Sequence, residues 1–337
     1  MTVPPLLEVE HLSVAVRRPG LPPLPILDDI SFRLERGETL GIVGESGSGK
    51  SMLSLALIGL LPDGARAGGA IRLEGTDLLA ASEAELCGIR GQQIGMIFQE
   101  PMTALNPAMR VGDQISEGLI RGRGLSRTEA RARALALLER VRIPEARRRI
   151  DAYPHEMSGG QRQRVGIAIA LALEPSILVA DEPTTALDVT VQAEILDILA
   201  ELVAEGDRAM IFVSHDLGVV AKATARTLVL YAGARLEEGR TADLLARPAS
   251  PYTRGLLAAM PRRPDRSTGA GPAARLATIP GTVPGFAALP PGCRFAPRCA
   301  DRVAECDAAE PGWRILGAGT QARGVRCIRA GMPEAVR

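Results

Sequence analysis

Aromatic side chains are scarce in this chain. Phe, Trp and Tyr make up 3% of its 337 residues, against 46% for apolar residues as a whole, so a buried core has to be built from Leu, Val, Ile and Ala. Net charge is nearly absent as well: 40 basic residues face 39 acidic ones, which leaves no electrostatic footprint for nucleic acid. The longest apolar run, Met52 to Pro62, is too short to cross a bilayer. Met1 to Glu10 lacks the basic-then-apolar order of a signal peptide. These absences point to a soluble cytosolic protein, a setting in which cysteines are more often metal ligands or catalytic groups than disulfides. Lysine is almost missing, since only Lys50 and Lys222 stand among the 40 basic residues and all the others are arginine. Each lysine therefore needs a reason. Cysteine is rare too, yet four of the five lie in the last 45 residues.

The length allows one large domain with an appendage, or two domains. Leu6 to Val16 alternates as a strand does, and "ILDDISFRLERGETLGIVG" reads as strand, glycine turn and buried strand ending at Gly44. An apolar helix is expected from about Ser51, and a strand over Gln92 to Gln99. From Pro101 to about Ile150 the pattern turns helical and arginine-rich. There Ser126 and Glu129 form a capping box that opens a helix. "SILVADE" (Ser176 to Glu182) and "AMIFVSHD" (Ala209 to Asp216) are short apolar strands with polar ends. Strands alternating with helices predict an α/β sheet of parallel strands with ligands at their carboxyl ends. A break falls near Arg247 to Pro251, and Pro261 to Ala274 reads as a linker.

"GESGSGKS" fits the phosphate-loop pattern G-x-x-x-x-G-K-[ST] in full. Gly44, Glu45, Ser46, Gly47, Ser48 and Gly49 would turn backbone amides inward around an anion, at the positive end of the following helix. Lys50 would reach the β- and γ-phosphates, where a compact ammonium fits and a guanidinium fork does not. The Ser51 hydroxyl would bind Mg²⁺. Asp181 ends an apolar strand and can hold Mg²⁺ through water, and Glu182 beside it is placed to polarise an attacking water. His215 ends another apolar strand, a candidate for the γ-phosphate side.

Between the phosphate loop and the Asp-Glu pair stands "MSGGQRQR" (Met157 to Arg164), which resembles the signature of ABC-transporter ATPases. With it come a strand ending at Gln99, "TTALD" ending at Asp188, and His215, six ordered motifs over about 170 residues. The resemblance implies a P-loop ABC ATPase fold with a mixed sheet core, residues 1–250, and a helical subdomain at about 100–166. It implies a head-to-tail ATPase dimer in which Ser158, Gly159, Gly160 and Gln161 of one chain close over the ATP held by Lys50 and Ser51 of the other. Gln99 would touch Mg²⁺ and water, Asp188 would line the dimer seam, Glu182 would be the general base and His215 the switch histidine. Hydrolysis would be an in-line attack, with ATP closing the dimer and hydrolysis opening it. The family places an adenine-stacking aromatic near Val16, where this chain has none; Arg17 or a flanking apolar side chain would take its place.

"QEPMTALNP" (Gln99 to Pro107), "SPYTRGLLAAMP" (Ser250 to Pro261) and "IPGTVPGFAALPPGCRFAPRC" (Ile279 to Cys299) are similar to the oligopeptide/dipeptide and nickel import branch. The thiol spacing C-x₅-C-x₆-C-x₂₀-C lacks the tight pairs of structural zinc knuckles and suits a cluster whose irons lie apart. The resemblance implies a [4Fe–4S] cluster on Cys293, Cys299, Cys306 and Cys327 in an extension over 251–337, with zinc open as the alternative; a structural role is expected, and redox sensing stays open. Pro297 and Gly292 are expected to fix turns, and Arg294 and Arg298 to offset the cluster's negative charge. Cys87 is expected to be no ligand. The implied partners are a second ATPase chain, identical or homologous, two membrane permeases on whose cytoplasmic face the chain docks, and an extracytoplasmic binding protein, with no nucleic acid. The implied cargo is di- or oligopeptides. Nickel, glutathione or another small solute remains open, as does a soluble ABC ATPase of another class, although the coiled-coil inserts and tandem units such proteins often carry are missing.

Overall fold

The computed structural model describes residues 4–100, 104–185, 187–205, 207–260, 278–319 and 322–330. The expected linker, and part of the "QEPMTALNP" stretch, lie outside them. Two sheets carry the fold. The smaller is antiparallel, in the order β2 (Leu21–Leu34), β1 (Leu7–Arg18), β4 (Ala65–Leu73), β5 (Thr76–Asp77). The larger runs β11 (Arg314–Leu316), β12 (Arg323–Val325), β10 (Ala234–Arg240), β9 (Arg226–Tyr231), β3 (Thr39–Val43), β8 (Ala209–Ser214), β7 (Ile177–Asp181), β6 (Ile94–Ile97).

The strands from β9 to β6 in that order are mutually parallel. Their sequences explain this. "ILVAD" and "AMIFVS" are buried along their whole length, as a parallel strand covered on both faces must be. The β3–β8 pair sits in register from Thr39↔Met210 to Val43↔Ser214, which brings the carboxyl ends of β3, β7 and β8 to one edge. Apolar cores lie on either side, one centred on Leu53, Ile71 and Ile211, the other on Ile115, Leu138, Ile167 and Phe212. Each fully buried Leu or Ile contributes about 1.5–3 kcal/mol, which is how a chain so poor in aromatics is held.

Helix α1 (Lys50–Leu57) follows β3, and α2 (Glu83–Ile89) follows the small sheet. Then come α3 (Val111–Arg123), α4 (Arg127–Arg140), α5 (Ala146–Arg149) and α6 (Gly159–Leu171), of which α3, α4 and α6 pack together. The capping box of α4 forms as the sequence indicates: Ser126 Oγ accepts from the Glu129 amide, and Glu129 accepts from the Ser126 amide at 2.9 Å. The arginines here pair with Asp151, Glu174, Glu201 and Glu205 at the surface, where each pair is worth about 0–1 kcal/mol.

Helix α7 (Val189–Ala204) follows β7, α8 (Leu217–Ala223) follows β8, and α9 (Thr241–Ala246) and α10 (Pro251–Ala259) follow β10. Buried Glu237 on β10 fixes the start of α10, accepting from the amides of Ala249 at 2.7 Å and Ser250 at 2.9 Å. Beyond 278 the chain returns to the same sheet, where β12 pairs with β10 through Glu237↔Val325 and Glu238↔Gly324. Trp313 stacks under the Arg235 guanidinium, 4.1 Å from its ring centre.

Candidate functional site

The loop between β3 and α1 is shaped by its glycines. Gly47 and Gly49 take positive φ, 79° and 99°, and a Cβ on Gly49 would stand 2.8 Å from Leu27 Cδ2. Lys50 opens α1 with its side chain turned back over the loop, Nζ donating to the carbonyls of Gly44 at 2.8 Å and Glu45 at 3.1 Å. Nζ also lies 3.7 Å from Glu182 Oε1. Burial pushes the Lys50 pKa down, opposed by the charges of Glu182 and Asp181.

Strand β7 delivers the acidic pair. Asp181 is 3% exposed, and its Oδ1 is buried without a hydrogen-bond partner among the described residues. Burial raises its pKa to about 6, with Glu182's charge adding to the rise; the Ser51 hydroxyl and Lys50 pull the other way. An unpartnered carboxylate oxygen beside a serine hydroxyl is an oxygen donor set that suits a hard dication such as Mg²⁺. Glu182 leaves the strand in a left-handed conformation (φ 47°), its amide tied to Val213 O at 2.9 Å, a strained geometry typical of functional sites.

The Glu182 carboxylate is where the predicted residues meet. Oε2 accepts from Gln99 Nε2 at 3.3 Å and from Thr185 Oγ1 at 2.8 Å, and His215 Nδ1 lies 3.1 Å away. Gln99, Glu182 and His215 follow β6, β7 and β8 at the sheet's carboxyl edge, so three strands set this cluster. Thr185 was not among the residues singled out from sequence. The only signal was its place three residues after Glu182.

Ser158, Gly159, Gly160, Gln161 and Asp188 form a second group at the N-termini of α6 and α7. Ser158 Oγ accepts from the Gln161 amide at 3.3 Å and Gln161 Oε1 from the Ser158 amide at 3.1 Å, a complete capping box. Asp188 caps α7 through the amides of Thr190 (3.1 Å) and Val191 (2.9 Å). A Cβ on Gly160 would approach Val191 Cγ1 to 2.6 Å, so glycine lets the two helix ends come together. Near the position expected for a base-stacking aromatic, Val16 is half-buried between Leu24 and Ala65.

In the tail, Cys293, Cys299, Cys306 and Cys327 line one cavity with Phe295 and Leu236. Burial pushes up the thiols of Cys293, Cys299 (to about 11) and Cys327, while backbone amides oppose the rise: Phe295 and Ala296 on Cys293, Asp301 on Cys299, Arg329 and Ala330 on Cys327. Amides folded round a sulfur favour its thiolate form. Gly292 passes so close to the Cys306 carbonyl that a Cβ would clash, and Pro297 lies in a 3₁₀ turn, Ala296–Arg298. The arginines expected to offset the cluster's charge have carboxylate partners. Arg294 pairs with Asp28 and Glu310, and Arg298 with Glu45, so both guanidiniums are neutralised by carboxylates that lie elsewhere in the chain. Cys87 is exposed on α2, with Glu83 Oε1 3.6 Å from its sulfur.

Comparison with known proteins gives two family matches: the ABC transporter family over residues 27–185, and the oligopeptide/dipeptide transporter C-terminal region over 236–306. A putative peptide import ATP-binding protein of Brucella abortus (strain 2308) is 50% identical over 314 residues, 93% of this chain and 92% of that one. The oligopeptide transport ATP-binding protein OppD of Salmonella typhimurium is 48% identical over 306 residues, 91% and 89% of the two chains. Among solved structures, a dimeric ATP-binding cassette in a post-hydrolysis state with ADP and Pi superposes with TM-score 0.63 at 31% identity, covering 70% of this chain and 98% of that one. CbiO1 from Clostridium perfringens, part of an ABC transporter complex, gives TM-score 0.62 at 29% identity, covering 72% and 91%.

Proposed function

Because the chain belongs to the ABC transporter ATPase family, in its oligopeptide/dipeptide branch, we propose that it is the ATP-hydrolysing subunit of a peptide importer. One observation carries the catalytic reading: the Glu182 carboxylate, 3.7 Å from the phosphate-loop lysine, is held by Gln99, Thr185 and His215. Glu182 takes the proton of the attacking water, Lys50 holds the β- and γ-phosphates, and His215 orients Glu182 and the γ-phosphate. The loop residues Gly44 to Gly49 cradle the phosphates. Ser51, Asp181 and Gln99 would hold Mg²⁺, which neutralises phosphate charge in this chemistry. Ser158, Gly159, Gly160 and Gln161 present the capped N-terminus of α6 to the ATP of a second ATPase chain, with Asp188 along the seam; that end's positive dipole suits a γ-phosphate.

The ATPase unit spans 1–250 and the extension 251–337 in this reading. No described helix is long and apolar enough to cross a membrane. In this reading the chain docks on the cytoplasmic face of two permeases, with an extracytoplasmic binding protein supplying peptide. The four tail cysteines would hold a [4Fe–4S] cluster, which would cross-link the tail. Among the described residues no group of three or more His, Cys, Asp or Glu side chains is arranged to hold a metal ion. What supports the cluster reading is that the four cysteines line one cavity, since each iron of such a cluster takes one sulfur.

Labelled-peptide uptake into vesicles carrying the chain with its permeases and binding protein tests the reading. Uptake should need ATP and vanish in Glu182→Gln, while protein purified without oxygen should contain about four irons and four sulfides. ATP-independent uptake, or uptake undiminished by Glu182→Gln, would refute the function.

A further inference from the structure

Three of the four tail cysteines stand next to an arginine at least nine-tenths buried: Arg294, Arg298 and Arg326, at 6%, 7% and 7% exposure. Each reaches the ATPase part. Arg294 pairs with Asp28, and Arg326 Nη2 with Asp29 Oδ2 at 2.6 Å. Arg298 goes to the phosphate loop itself. Its Nη1 donates to Glu45 Oε2 at 2.6 Å and its Nη2 to Glu45 Oε1 at 3.0 Å, a two-pronged pair across 253 residues of sequence. The fork is aimed by Nε donating to Pro280 O at 2.8 Å and by the Tyr231 ring, whose centre lies 5.8 Å from the guanidinium.

Glu45 is the second residue of the phosphate loop, and all its polar groups are engaged. Its carbonyl accepts from Lys50, its amide donates to Tyr252 Oη at 2.9 Å, and its carboxylate takes Arg298. Tyr252 and Arg298 both come from beyond residue 250. They are joined by an aromatic cluster in which Tyr231, Tyr252 and Phe295 sit with ring centres 4.6–5.3 Å apart. Phe295 itself lines the cysteine cavity. A fork–carboxylate pair is directional, and here the arginine is 5% and the carboxylate 30% exposed, so breaking it leaves the surviving partner without its counter-charge. Here the survivor would be a carboxylate in the loop that receives a polyanion.

We propose that Arg298 is a positioning residue for nucleotide binding: through Glu45 it fixes the first turn of the phosphate loop and cancels a negative charge there, so ordering of the cysteine tail sets ATP affinity. The inference rests on the nucleotide-site reading given above. It makes the tail a working part of the ATP site.

Calorimetric titration of Mg·ATP into the purified full chain tests it, using Arg298→Gln, Arg298→Lys, Glu45→Gln, the Arg298→Gln/Glu45→Gln double variant, and Lys50→Ala. Arg298→Gln should weaken ATP binding about tenfold, the size expected for one charge-assisted pair. Arg298→Lys should recover part of the loss. The double variant should bind ATP more tightly than Arg298→Gln alone, since no unpaired carboxylate remains. General damage to the tail would not be relieved by a second substitution. Wild-type affinity in Arg298→Gln, or losses that multiply in the double variant, would overturn the inference while Lys50→Ala still abolishes binding. ATP bound equally by wild type and Lys50→Ala would overturn the nucleotide site, and this inference with it.

Discussion

Replacing Asp181 by Asn should make the nucleotide-free protein more stable at neutral pH while removing its Mg²⁺-dependent activity. Asp181 is 3% exposed, one of its oxygens has no partner among the described residues, and burial lifts its pKa from 3.8 to about 6. A carboxyl whose pKa is raised on folding binds its proton more tightly in the folded state. Its stabilising contribution is therefore complete below about pH 4 and is lost as pH rises through about 6. At about 1.4 kcal/mol for each tenfold in proton affinity, keeping Asp181 ionised at pH 7.5 costs the fold about 3 kcal/mol. Unfolding entropy for a chain of this length is about 0.7 kcal/mol per degree, so the Asn variant should melt about 4 °C higher. Scanning calorimetry between pH 4.5 and 7.5 is the assay. The gap between variant and wild type should widen from about pH 4 to about pH 6 and level off above, and Mg·ATP should close it by stabilising wild type more. An Asn variant that melts at or below wild type at pH 7.5, or a gap independent of pH, would refute the reasoning.

Thr185→Val removes the 2.8 Å hydrogen bond that orients Glu182; we expect hydrolysis to slow about tenfold, with ATP affinity unchanged by titration. A lowered affinity would show that Thr185 acts on the loop instead. Gly292→Ala inserts a Cβ into the Cys306 carbonyl and should reduce metal bound by anaerobically purified protein, read by iron and zinc analysis. Full metal content would mean that this close approach does not shape the cysteine site.

The parts of the site that follow from adjacent residues could be read from the sequence. The phosphate loop, the capping box at Ser126 and the apolar strands β7 and β8 are encoded by neighbours in the chain, and short-range chemistry decides them. Contacts chosen across long separations were not legible. Arg298 was expected to offset charge at the cysteines beside it, and its fork takes Glu45 because folding brings β3, β9 and the tail together. Tyr252 was noticed only as part of a familiar stretch, and its place over the Glu45 amide needs the buried Glu237 that anchors α10. Strands β11 and β12, three residues each, are too short to show an alternating pattern. Strand β12 joins the main sheet by pairing with β10, and β11 by pairing with β12.

The most direct test of the account is single-turnover ATP hydrolysis by Glu182→Gln beside wild type, with ATP binding measured on the same samples. The account predicts unchanged ATP binding and hydrolysis slowed by at least about a hundredfold, as for loss of a general base. Hydrolysis at the wild-type rate would contradict it, for the carboxylate on which Lys50, Gln99, Thr185 and His215 converge would then have no part in the chemistry.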